Sequence, residues 1–144
     1  MLGAIWDTPY NIVYVAHLLS VILGAGMAFL APVMAVRARR AGGRGLEEFV
    51  EETANAVIFP SLLLAGVFGG ALVGMSSDVY DFAQTWLAIG GAVWMVLLVL
   101  AAGAYPPPWL RVLNLAPERR RMLMGMMHLG LAVMLVVMTW KFGV

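Results

Sequence analysis

Four stretches of about twenty residues or more carry no charged side chain, and eight of the nine basic residues fall between them in two short clusters. Arg37, Arg39, Arg40 and Arg44 form the first cluster; Arg111, Arg119, Arg120 and Arg121 form the second. The uncharged stretches run from about Pro9 to Val36, Ala54 to Met75, Ala83 to Tyr105 and Met122 to Trp140. About 20 apolar residues span the hydrocarbon core of a bilayer as a helix. Strands fit poorly, because a barrel strand needs only about 9–11 residues and alternates in polarity. The pattern predicts an all-α membrane protein: one domain over residues 1–144, folded as a four-transmembrane-helix bundle.

Composition sharpens the class. The chain is 62% hydrophobic and 12% charged, whereas a soluble domain is about 25% charged. So few charges could not cover a water-facing surface. The net charge is +1 and the charges are segregated, so no nucleic-acid surface is expected. Cysteine is absent, which excludes disulfides, thiolate metal sites and thiol nucleophiles. No lysine or arginine precedes Arg37 and the first apolar block is long, so a cleaved signal peptide is not expected.

Loops rich in arginine and lysine stay on the cytoplasmic side. Both clusters are therefore expected in the cytoplasm, with the N-terminus and C-terminus outside. The outer side carries only Asp7, Asp78, Asp81 and Lys141. Trp6, Tyr10, Tyr80, Trp86 and Trp140 fall near the outer interface, and Tyr105 and Trp109 near the inner one, as interfacial belts do.

Helical spacing places Leu46, Phe49, Val50 and Thr53 on one apolar face, with Glu47, Glu48, Glu51 and Glu52 opposite. The second helix is thus expected to begin near Gly45. Like charges four residues apart repel, so contact with Arg119 to Arg121 is predicted for these glutamates. The alternative is a solvated charged face; a four-glutamate metal site is disfavoured for want of a histidine beside it. Pro106-Pro107-Pro108 ends the third helix. Loop Ser76 to Phe82 is short and predicts a tight hairpin of spans two and three. Pro60 predicts a kink in span two.

In lipid, small residues mark the faces where helices approach closely. Gly66, Gly70 and Gly74 form a doubled G-x-x-x-G on span two, and Gly24 lies on a small-residue stripe of span one with Ser20, Ala28 and Ala31. The glycine face serves packing within the bundle or against a second protomer.

His17 and His128 are the only acid–base side chains in the usual physiological range inside the spans. A polar residue in hydrocarbon is by default a functional candidate. The expected depths differ by about 10 Å at 1.5 Å rise per residue, which argues against the pair as axial ligands of one haem. His17 as the sole protein ligand of haem b, or His17 with Met75, stays open. The structural alternative is a neutral imidazole hydrogen-bonded to a neighbour such as Gln84. Met122, Met126 and His128 are soft-ligand candidates for copper, although methionine more often fills gaps between helices. No carboxylate lies within the spans, which disfavours a proton-coupled pump or small multidrug exporter of the usual kind; no Ser-His-Asp set or phosphate loop is present, so soluble-style catalysis is not expected.

The run Tyr14-Val15-Ala16-His17-Leu18-Leu19-Ser20, followed by Gly24, resembles the opening helix of a bacterial family of predicted integral membrane proteins of unknown function. Phe59-Pro60-Ser61-Leu62-Leu63-Leu64, Thr85-Trp86-Leu87 and Trp140-Lys141-Phe142-Gly143 extend the likeness to all four spans. The resemblance implies a four-helix bacterial plasma-membrane protein. The first helix is also similar to those of the copper-resistance D family and the haem-bearing membrane protoporphyrinogen oxidase family. The latter likeness implies a role for His17, but that family's third-span lysine has no counterpart here.

The leading expectation is a plasma-membrane protein without independent catalysis, an accessory or assembly subunit with a membrane-protein partner or a second copy. A haem-binding redox protein using His17 and a copper-handling protein are the alternatives.

Overall fold

The structure, a computed structural model, describes residues 7–42, 44–110 and 115–141. Trp6, Arg111, the Phe142-Gly143 pair and Val144 lie outside the described residues. Four α-helices make up most of the described chain: α1 (Thr8–Arg40), α2 (Arg44–Gly74), α3 (Thr85–Ala104) and α4 (Pro117–Trp140). Each is long and apolar enough to cross a membrane, and no strand occurs among the described residues. The shortest, α3, has 20 residues and is about 30 Å long, the thickness of a hydrocarbon core.

Local chemistry sets the helix ends. Pro9 lies in the first turn of α1, where a missing N–H is harmless. Arg37, Arg39 and Arg40 close the same helix, placing cations at the negative end of its dipole. Helix α2 starts at Arg44, so the acidic segment forms its first turns. Prolines 106 to 108 stop α3, and a single 3-10 turn, Pro108–Leu110, leads away.

Helix α1 packs along α2 and α3 along α4, while contact between these two pairs is sparser. Spans two and three are joined by the expected short reversal but pack less closely on each other than α1 on α2 or α3 on α4. The intervening chain reverses direction, held by Ser76, whose Oγ donates to Val73 O at 2.7 Å and accepts from the Tyr80 N–H at 3.0 Å. Where α2 and α3 do touch, the Trp94 indole lies against Gly66.

The core is built from small residues and a few large ones. Ala28, Ala54, Ile58, Leu97, Ala101, Ala104 and Met127 are all buried there. Between 17% and 33% of each apolar stretch is buried inside the chain. Most of the apolar surface thus faces outward, which water would penalise and lipid does not. This is the surface of a multi-pass membrane protein.

Two packing expectations change in detail. The acidic segment does not bury Leu46, Phe49, Val50 and Thr53 as one face. The buried line is Val50, Ala54 and Ile58, each four residues on, while Leu46 and Phe49 are exposed. The doubled glycine motif also divides. A Cβ at Gly66 would overlap Trp94, but one at Gly70 or Gly74 would meet nothing within 4 Å. Gly24 lies on the α1–α2 seam, where a Cβ would come within 3.1 Å of Leu62.

Candidate functional site

His17 stands on the face of α1 that packs against α2. Its Nδ1 lies 2.7 Å from the Ala65 carbonyl oxygen. A carbonyl only accepts, so the proton belongs on Nδ1 and the lone pair on Nε2. Gly69 makes room for the ring: a Cβ there would come within 3.3 Å of His17 Cε1. The expected partner Gln84 is occupied elsewhere. Its Nε2 donates to Val79 O at 3.3 Å, and its Oε1 accepts from Trp86 Nε1 at 3.2 Å. Met75 lies just past the end of α2, ten residues beyond Ala65 and about 15 Å away along the axis, too far to share an ion with His17. An imidazole oriented through Nδ1 by a backbone carbonyl is how ligating histidines are commonly held.

His128 is bound differently. Its Nε2 is 2.9 Å from Ala28 O on α1, and its Nδ1 is 2.6 Å from Met124 O on its own helix. The Phe29 ring lies against it, centroids 5.0 Å apart. Ala28 is eleven residues along α1 from His17, about 16 Å. Metal–nitrogen bonds are about 2 Å long, so the two histidines cannot hold one metal, as their expected depths already argued.

The candidate copper ligands do not converge. Met122 and Met126 are 59% and 49% exposed on the outer side of α4. His128 follows Met126 by two residues, about 200° around the helix, and its Nε2 turns inward to α1. Among the described residues no group of three or more His, Cys, Asp or Glu is placed to hold a metal ion.

Trp94, Arg120 and Arg39 also tie helices together, whereas Ser20, Thr53 and Thr139 bond carbonyls of their own helices. Trp94 Nε1 donates to Leu62 O at 2.8 Å, joining α3 to α2. Arg120 on α4 meets Glu51 on α2 at 2.7 Å, so the predicted contact between the acidic turns and the second arginine cluster forms. The same guanidinium donates through Nε and Nη2 to Ala104 O, at 3.3 and 3.2 Å. That carbonyl ends α3 and has no helical donor. Arg39 pairs with Glu47 at 3.0 Å. Tyr105, just beyond α3, has its hydroxyl pushed above its ordinary range by burial; Arg120 opposes this and Glu51 adds to it. Asn55 is buried near this end with its Oδ1 unpaired.

At the opposite end Lys141 lies over the Tyr80 and Trp86 rings, 5.3 and 5.6 Å from their centroids. These cation–π contacts fasten the end of α4 to the α2–α3 connection.

Sequence reasoning missed Ala65, Trp94 and Ala28 as hydrogen-bond partners. Ala65 and Ala28 act through backbone carbonyls, which have no side-chain signature. Ala28 nevertheless had a signal: Pro32, four residues on, leaves its carbonyl without a helical donor. No family model, curated protein or solved structure matches the chain.

Proposed function

We propose that this chain is a small multi-pass protein of a bacterial plasma membrane that does no chemistry of its own. It serves as an accessory or assembly subunit of a larger membrane complex, bound to a membrane-protein partner or to a second copy. The use of its polar side chains supports this reading. His128, Trp94 and Arg120 each end on a neighbouring helix, so they stabilise an arrangement rather than present a reactive group. The arginine end faces the cytoplasm and both termini face outward, following the charge asymmetry of the loops. The motif likeness to a bacterial family of four-helix membrane proteins agrees.

Purification in mild detergent tests the subunit role. A stoichiometric partner or a stable homo-oligomer is expected; a monodisperse monomer with no partner contradicts it. Reporter fusions test the orientation. Ala41 should report the cytoplasm and Val144 the outside, and a cytoplasmic Val144 overturns the sidedness.

One observation favours a second reading. His17 keeps Nε2 as a lone-pair nitrogen while Ala65 O holds the ring through Nδ1. That nitrogen could hold haem b, which would supply one-electron chemistry. This chain's part would be to orient the imidazole. Its signature is a Soret band in the purified protein that disappears in His17→Ala.

A further inference from the structure

Proline inside a helix removes the N–H that would pair with the carbonyl four residues earlier. Pro32 lies within α1, so the carbonyl it leaves without a helical donor is that of Ala28. Ala28 is fully buried, in the middle of the apolar core. Water cannot reach an acceptor there, and an unpaired carbonyl in hydrocarbon is strongly unfavourable. The donor comes from the other helix pair. His128 on α4 brings Nε2 to 2.9 Å from Ala28 O. The Phe29 ring packs on the imidazole with its plane tilted by 53°, which restricts how the ring can turn.

The two contacts of His128 are not equivalent. Met124 O is four residues before His128 and receives its backbone N–H in the helix. Ala28 O has no such donor. A neutral imidazole has one N–H; on Nε2 it satisfies the acceptor that lacks a helical donor, at the cost of leaving the Nδ1 lone pair facing Met124 O at 2.6 Å. Direct packing between α1 and α4 is sparse, so this bond is a principal polar link between the α1–α2 and α3–α4 pairs.

We propose that Pro32 and His128 form one latch between the two helix pairs: the proline opens an acceptor in the core of one pair and the histidine of the other closes it. His128 is a positioning residue in this scheme, and the link fixes how the pairs sit against each other. Opening it would leave a bare carbonyl on α1 and a bare imidazole N–H on α4, facing each other in the apolar layer. The two residues therefore depend on each other. Histidine is needed because proline is present.

A mutant cycle in the full chain tests the latch. The chain has no cysteine, so Ile22→Cys and Leu135→Cys introduce one spin label each on exposed sites of α1 and α4. In detergent, His128→Ala should lower the melting midpoint and broaden the label–label distance distribution. His128→Gln offers an amide N–H in place of the imidazole and should recover part of both. Pro32→Ala returns a helical donor to Ala28 O. In that background His128→Ala should lose less than half of what it loses beside Pro32. Equal losses in the two backgrounds, or no loss in either, overturn the proposal. Should His128→Ala alone not accumulate, accumulation restored by adding Pro32→Ala supports the latch, and continued failure contradicts it.

Discussion

Gly66 and Gly70 lie one turn apart on α2 and belong to the same motif, yet the structure gives them opposite roles. Substituting each by alanine separates those roles. At Gly66 the added methyl would overlap the Trp94 indole, and the ring must move. Overpacking of this kind costs about 1–3 kcal/mol. Moving the ring also breaks the 2.8 Å bond from Trp94 Nε1 to Leu62 O. A side-chain hydrogen bond in a membrane bundle contributes about 0.6 kcal/mol and at most about 1.7. Alanine returns about 0.8–1 kcal/mol through helix propensity. The net expectation for Gly66→Ala is a loss of about 1–4 kcal/mol. At Gly70 the methyl meets nothing within 4 Å, so only the propensity term acts, a gain of about 0.8–1 kcal/mol. The two variants should therefore differ by about 2–5 kcal/mol. Denaturant titration in detergent micelles, followed by tryptophan fluorescence, reads the difference. Equal midpoints, or a larger loss at Gly70, would refute the assignment of the α2–α3 contact to Trp94 on Gly66.

Two further outcomes follow from the arginine end. Arg120→Ala should destabilise by about 1–2 kcal/mol, because it removes both an ion pair and the donors that close α3. Glu51→Gln should lose less than about 1 kcal/mol, since its carboxylate is half exposed and screened; equal losses in the two titrations would show that the Ala104 bonds contribute nothing. Tyr105 supplies a pH dependence. Its hydroxyl holds its proton more tightly in the folded state, so the associated stability is intact below the ordinary tyrosine range near pH 10 and is lost as pH rises through the raised value. Tyr105→Phe should flatten that alkaline decline in thermal melts; an unchanged slope contradicts the burial of Tyr105.

The four spans were legible because each requirement of a bilayer is written locally, as a run of apolar residues between charges. The Arg120–Glu51 contact was legible for a related reason: Glu47, Glu48, Glu51 and Glu52 repel one another and only arginines are near. The pairing of α1 with α2 and α3 with α4 was not. It rests on contacts such as Gly24 against Leu62 and Gly103 against Leu123, matches between two helices that neither segment shows alone. The partner of His17 was missed because Ala65 contributes its backbone, and every residue has a carbonyl. Helical phase could have separated Met122 and Met126 from His128, since two residues turn a helix through more than half a revolution.

The visible spectrum of the detergent-purified chain, recorded for the wild type and for His17→Ala, is the most direct test of the claim that this protein does no chemistry of its own. The account predicts two colourless proteins with the same helical content, the His17→Ala form less stable by about 1 kcal/mol through loss of the bond to Ala65 O. A Soret band in the wild type that is absent from His17→Ala would contradict it and make His17 the ligand of a redox centre.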